Sequence, residues 1–173
     1  MDARDITTEN DVRSILRLCR KCNRLTNNAT YILAHSQLPN IALSTRKHQT
    51  HGLIINSESG GRLGHWFTLL IYNNRFLIVC DGLCKAMKES DIVSNILIFC
   101  RKNNLILKDL DFRCQPRNSL KCGYIALFFI AKASQLQYRS FLRMINMLTQ
   151  YSIGSREGYV LKYVARHFKL LQQ

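Results

Sequence analysis

Residues 64–82 read GHWFTLLIYNNRFLIVCDG, two runs rich in aromatic, β-branched and leucine residues, His65–Tyr72 and Arg75–Cys80, parted by Asn73-Asn74. Asparagines between such runs signal a tight turn, so a β-hairpin is the simplest account. Both runs are apolar at nearly every position, which predicts strands covered on both faces, as at the centre of a sheet packed between helices. His65 opens the first strand and Asp81 closes the second, so the two stand at the same end of adjacent strands. Side chains alternate between faces, and a strict two-residue turn pairs Trp66 with Asp81 and sends His65 to the opposite side. For His65 and Asp81 to meet, the hairpin needs a three-residue connection, a bulge, or an Asp81 beyond the ladder.

Downstream, Ser90–Arg101 has helical periodicity through Ile92, Asn95, Ile96 and Phe99, and Leu105–Leu107 reads as a strand. After Asp109–Cys114 comes QPRNSLK, residues 115–121, where Pro116 disfavours helix immediately before it. Cys122–Ala133 (CGYIALFFIAKA) is apolar on almost every face, the pattern of a helix buried in a core. Ser140–Gln150 and Arg156–Leu171 supply two further amphipathic helices. Upstream, residues 11–22 place Val12, Ile15 or Leu16, Cys19 and Cys22 on one helical stripe, with Thr8 and Asp11 as capping partners. Asn27-Asn28 breaks that pattern. Tyr31–Ala34 and Ile41–Leu43 are short apolar runs separated by a turn at Leu38-Pro39-Asn40, Gly52–Ile55 reads as a strand, and Ser57–Gly64 as a loop. The expectation is a single α+β domain over residues 1–173, its central mixed or antiparallel sheet packed between helices.

A chain of 173 residues suits one domain with one core. Its 25 Lys and Arg against 11 Asp and Glu leave a formal charge of +14, a field that attracts polyanions and makes nucleic acid a plausible partner. Basic helix faces around Arg13, Arg17, Arg20 and Lys21, and around Lys162, Arg166 and Lys169, are candidate phosphate contacts without any base-reading motif. The alternative is a diffusely basic solvated surface, since the basic pairs Arg20-Lys21 and Arg46-Lys47 are short. Seven cysteines, an odd number, and a polar amino terminus lead to the expectation of a reducing, intracellular setting. The apolar stretches Trp66–Tyr72 and Tyr124–Ala131 fall short of the ~20 residues that cross a bilayer, so no membrane partner is expected.

Cysteine proteases need a thiolate, an imidazole to hold and return its proton, a group that fixes the imidazole, and donors for the oxyanion. Cys122 lies where a polar loop ends and the buried helix begins, a position that lowers a thiol's pKa and leaves its own backbone N–H free for an oxyanion. Gly123 beside it obstructs nothing. His65 is the candidate base, Asp81 its orienting carboxylate, and Gln115 a neutral amide donor from the loop that leads to the nucleophile. No cofactor is needed for this chemistry. Cys19-x-x-Cys22 together with His48-x-x-His51 is the other suggestive group. Its spacings, 25 residues between the pairs and two between the histidines, depart from those of zinc fingers, so no metal is expected and the cysteines read as core stripe.

The pattern Gly64-His65-Trp66, an acid at the end of the next strand, then Gln115-Pro116-x-Asn118-Ser119-x-x-Cys122-Gly123 resembles the adenovirus-protease (adenain) family. It is similar more distantly to the proteases of SUMO and ubiquitin-like proteins, which usually have one residue fewer between glutamine and cysteine. The likeness extends from about Tyr31 to Ala133 and includes Ile54-Ile55-Asn56 before Gly60-Gly61. The chain departs from it in carrying Asp81 where the viral enzymes usually have glutamate. The resemblance implies an adenain-like fold and a monomeric viral endopeptidase that matures virion precursor proteins near glycine and small residues, in the host nucleus and the virion. It also implies stimulation by DNA, bound without sequence preference. Activation by a disulfide-linked peptide finds no matching cysteine, because Cys100 and Cys114 are both displaced. Competing expectations are removal of ubiquitin-like modifiers and, in another class, a non-catalytic basic nucleic-acid-binding module with a zinc site.

Overall fold

The hairpin's register follows from the conformation of two asparagines. In the computed structural model, which describes residues 8–27, 31–43, 50–58 and 64–168, strand β3 (Trp66–Tyr72) runs antiparallel to β4 (Phe76–Cys80). Asn73 and Asn74 have φ of 57° and 51°, left-handed geometry that asparagine tolerates better than most residues. Arg75 N–H closes the turn on the Tyr72 carbonyl at 3.1 Å, so the connection has three residues and Tyr72 faces Phe76. Paired residues are then odd with odd and even with even, with Thr68 opposite Cys80. His65 lies one residue before β3 and Asp81 one residue after β4. Both are odd-numbered, so both leave the ladder toward the same side, as the three-residue alternative requires.

Around this hairpin the sheet has the order β1-β2-β3-β4-β5, with β1 at Ile32–Ala34, β2 at His51–Asn56 and β5 at Ile106–Asp109. The central pairs are antiparallel and the two outer pairs parallel, which makes the sheet mixed. Its two faces build two cores. Ile54, Leu70, Tyr72, Ile78 and Cys80 pack against α4 (Cys122–Ala133), α5 (Tyr138–Leu148) and α6 (Ile153–His167). Leu53, Ile55, Phe67, Leu69, Ile71, Leu77 and Val79 pack against α3 (Ser90–Lys102) and the 3₁₀ helix His35–Asn40. This is the two-sided cover that the unbroken apolar runs predict.

Helix α4 buries ten of its 12 residues, leaving Cys122 and Lys132 half-exposed. Each large side chain such as Phe128, Phe129 or Ile130 contributes about 1.5–3 kcal/mol by leaving water. Thr68, the buried hydroxyl of β3, donates to the Ala126 carbonyl at 3.2 Å and keys the strand to the first turns of α4.

The amino-terminal helix departs from expectation. It is two helices, α1 (Glu9–Arg17) and α2 (Arg20–Leu25), separated at Leu18 and Cys19, and the expected Thr8–Asp11 capping box opens the first. On one straight helix Cys22 would sit about 120° around from Leu16, off the buried stripe. The break at the extended Cys19 turns Cys22 into the core beside Val12 and Leu16. The Leu38-Pro39-Asn40 turn is part of the 3₁₀ helix. Helices α5 and α6 begin before the expected starts at Ser140 and Arg156, the latter capped by Ser152. Asn28, Arg46-Lys47, His48, Gly60-Gly61 and residues 169–171 lie outside the described residues.

Candidate active site

Three segments converge at one end of the sheet. The segment before β3 brings His65, the segment after β4 brings Asp81, and the start of α4 brings Cys122. His65 is held at its backbone by Ser57, whose hydroxyl accepts from His65 N–H and whose own N–H donates to the His65 carbonyl, each at 2.9 Å. Gly64 precedes it because there is no room for a side chain, and an added Cβ would collide with the Asn56 Oδ1.

His65 Nε2 lies 2.5 Å from Asp81 Oδ1, with the histidine 14% and the aspartate 4% exposed. That bond uses Nε2 and leaves Nδ1 as the open ring nitrogen, and Cys122 stands close enough for the thiol and the imidazole to shift each other. Burial opposes the imidazolium, but the bonds to Asp81 and Cys122 and their charges outweigh it and lift His65 to about 9. Burial likewise opposes the thiolate, yet the bond to His65 and the backbone N–H groups of Trp66 and Gly123 bring Cys122 below the ordinary thiol value. The resting state these shifts favour is a thiolate–imidazolium pair.

Asp81 carries a second role. Its Oδ1 accepts from Leu83 N–H at 2.9 Å, and its Oδ2 from Lys85 and Ala86 N–H at 2.7 and 2.8 Å. Burial alone would raise its pKa, but His65 and these amides turn the balance and lower it. The carboxylate is therefore anionic, fixed in orientation, and shared between the imidazole and the following turn.

Gln115 is buried in the loop before α4. Its backbone N–H and that of Cys114 donate to the Gly82 carbonyl at 3.0 and 3.1 Å, which ties the loop to the residue after Asp81. Its Nε2 donates to the Ser119 carbonyl at 2.7 Å, one of that amide's two hydrogens, while its Oε1 is buried without a hydrogen-bond partner. A Cβ on Gly82 would stand 3.0 Å from Ile125 and 3.2 Å from Gln115 Oε1, so the packing is tight where the three segments meet and these side chains would have to give slightly to admit one.

The structure thus brings His65, Asp81 and Cys122 together and packs Gln115 against the same turn. Reasoning from sequence misses the supports. Ser119 Oγ donates to Glu157 of α6 and accepts from Lys121 N–H. Arg156 Nη1 donates to the Arg113 carbonyl at 2.7 Å, with its guanidinium carbon 5.5 Å from the centre of the Phe112 ring. Nothing in the spacing of Arg156-Glu157 marks these residues, since their partners lie about 40 residues away. Gly82 had a signal, an aspartate-glycine pair directly behind the candidate acid. Cys19 and Cys22, expected as inert stripe, stand instead beside His167, with Sγ to Nε2 distances of 3.3 and 3.5 Å. Cys100 and Cys114 are buried.

A scan of protein-family models and a search of curated proteins find no match to this chain.

Proposed function

We propose that the chain is a cysteine endopeptidase with an adenain-like fold, in which Cys122 is the nucleophile, His65 the base and acid, and Asp81 the orienting group. The observation that carries the reading is the convergence of Asp81, His65 and Cys122, with His65 Nε2 2.5 Å from Asp81 Oδ1 and with the thiol lowered and the imidazole raised by their mutual proximity. The thiolate attacks a peptide carbonyl, and the oxygen that becomes negative is met by Gln115 Nε2 and the backbone N–H of Cys122. His65 Nδ1 gives its proton to the departing amine, leaving an acyl-enzyme. His65, now neutral, takes a proton from water, whose oxygen attacks the thioester and releases the acid and the free cysteine.

Together with the sequence resemblance, this favours a maturation protease acting on virion precursor proteins near glycine and small residues. The +14 charge supports DNA as a stimulating partner. Peptide mixtures digested by the wild-type chain and by Cys122→Ala, with cut sites read by mass spectrometry, test the reading. The expected result is cleavage beside small residues that falls by at least about 10³-fold in the variant. Equal digestion by both chains, or none by either with DNA present, overturns it. Cleavage confined to isopeptide conjugates of ubiquitin-like modifiers moves the substrate class and keeps the chemistry.

A further inference from the structure

Cys19 comes from the break between α1 and α2, Cys22 from α2 and His167 from the last residue of α6, yet their sulfur and nitrogen atoms all lie within 4.8 Å of one another. Both cysteines are free thiols. For a tetrahedral zinc with Zn–S of ~2.3 Å and Zn–N of ~2.0–2.1 Å, sulfur and nitrogen should stand about 3.6 Å apart. The two observed separations, 3.3 and 3.5 Å, are close to that spacing without any rearrangement of backbone. Two soft thiolates and an imidazole are also a donor set that selects zinc over hard cations.

The surroundings are those a ligating histidine has. The ring of His167 stacks on Tyr163, with centroids 5.4 Å apart and planes at 12°, and meets Phe168 edge-on at 4.9 Å. Its Nδ1 lies 3.3 Å from the side-chain amide of Gln135, whose other end takes the Tyr163 hydroxyl at 2.9 Å. With that amide turned over, its oxygen accepts Nδ1–H and its nitrogen donates to Tyr163, which fixes Nε2 as the ligating atom. Ser134 Oγ stands 3.6 Å from Cys22 Sγ. Cys22 is buried, whereas Cys19 and His167 are half-buried, so an ion has a way in and water can complete the tetrahedron.

We infer that Cys19, Cys22 and His167 form a structural zinc site that clamps the α1–α2 junction to the end of α6. The ion joins residues 145 and 148 positions apart in sequence, and closing so long a loop is where a metal clip stabilises a fold most. Binding releases the two thiol protons as the thiolates take the metal. The site stands at the Ser134 end of α4, about 18 Å of helix from Cys122. It is independent of the protease reading, and none of its assays uses proteolysis.

The test is metal analysis of the full chain, purified without a histidine tag and dialysed against zinc, together with cobalt substitution. One zinc per chain is expected in the wild type and equally in Cys122→Ala. Cobalt should give the intense absorption of tetrahedral thiolate coordination. Cys19→Ser and His167→Gln alter half-buried positions, and chains whose circular dichroism stays native should lose stoichiometric zinc. Gln135→Ala should bind it about 10–100-fold more weakly. A chelator should lower the wild-type melting temperature and zinc should restore it, with no such response in native-like Cys19→Ser. Substoichiometric zinc in the wild type with no cobalt–thiolate band overturns the inference. So does zinc retained by Cys19→Ser and His167→Gln but lost from Cys122→Ala.

Discussion

Helix α4 has a thiol and an imidazole near each of its ends, and their surroundings differ. At its start, Cys122 faces one histidine, receives two backbone N–H groups, and the histidine is backed by a carboxylate. At its finish, Cys22 faces a second thiol and a histidine backed by a neutral amide. The first group has negative charge held in place to stabilise an imidazolium and donors to stabilise a thiolate. In the second, two sulfurs compete for one imidazole, burial drives the Cys22 thiol upward, and a divalent ion is what would satisfy all three. In the two proposals the same residue types serve as a nucleophile or as a clamp according to what stands behind them.

Alkylation breaks this comparison most easily, because it reads each sulfur directly. Burial and neighbouring groups raise Cys84 to about 12 and Cys100 to about 11, and raise Cys22, Cys80 and Cys114 as well, whereas Cys122 is lowered. At pH 6 Cys122 should react at least about 10²-fold faster than Cys84, even though low-pKa thiolates are weaker nucleophiles. The sign of the pH dependence follows. The relative advantage is greatest at and below the Cys122 pKa, and it narrows as pH rises above that value and the other thiols ionise. Iodoacetamide labelling with peptide mapping measures it. Uniform labelling, or Cys122 reacting last, removes the nucleophile and leaves the zinc inference intact.

Much of this was legible in the sequence because it rests on local pattern. The apolar runs of residues 64–82 carry the central strands, and the almost wholly apolar CGYIALFFIAKA carries α4 with the boundaries expected. The positions of His65 and Asp81 at one strand end, and of Cys122 at a helix start, follow from those elements. The register did not, since whether two asparagines and an arginine make a two- or three-residue turn depends on left-handed φ values that sequence only permits. The break at Leu18–Cys19 was hidden because Cys19 fits the helical stripe, and only tertiary packing pulls Cys22 inward. His167 as their neighbour was invisible because it comes from the far end of the chain. Of the two histidines weighed beside the cysteines, His48 lies outside the described residues and His51 is buried at the start of β2.

Charge offers a second way to sharpen the contrast between the two ends. Arg17, Arg20, Lys21 and Arg24 are exposed around the α1–α2 break, and Lys162 and Arg166 are exposed on α6, so the basic faces flank Cys19, Cys22 and His167. Arg13 belongs elsewhere, paired with Glu9 at 2.5 Å. With roughly three to six phosphate contacts, log affinity for duplex DNA should fall against log salt with a slope of about −3 to −5. Between 50 and 200 mM salt that is a loss of about 60- to 1000-fold. Random sequences should compete equally, and Lys21→Glu with Arg24→Glu should flatten the slope by about 2. Fluorescence anisotropy measures both. An affinity indifferent to salt, or unaltered by the charge reversals, makes the charge a solvated surface.

The smallest effect expected is at Glu157, and it tests whether the catalytic end is a network or a set of neighbours. Ser119 donates its hydroxyl to Glu157 and accepts Gln115 Nε2 at its carbonyl, so Glu157 reaches the oxyanion donor through one residue. Glu157 itself stands on α6, and in the proposed mechanism it is a positioning residue with no part in the covalent steps. A hydrogen bond to a charged group contributes about 1.5–3 kcal/mol, and only a share of that should reach the transition state. Glu157→Ala is therefore expected to lower kcat about tenfold with KM nearly constant, because Gln115 is needed where charge develops on the oxygen rather than for holding substrate. Glu157→Gln keeps an acceptor for the Ser119 hydroxyl and should recover most of the loss, which a general loosening of α6 would not allow. Zinc content should be the same in all three chains, since His167 lies ten residues further along the helix. If kcat is untouched by Glu157→Ala, Ser119 holds Gln115 without help from α6. A loss that Glu157→Gln fails to recover, or that falls on KM instead, means the substitution acts through the helix and the network ends at Ser119.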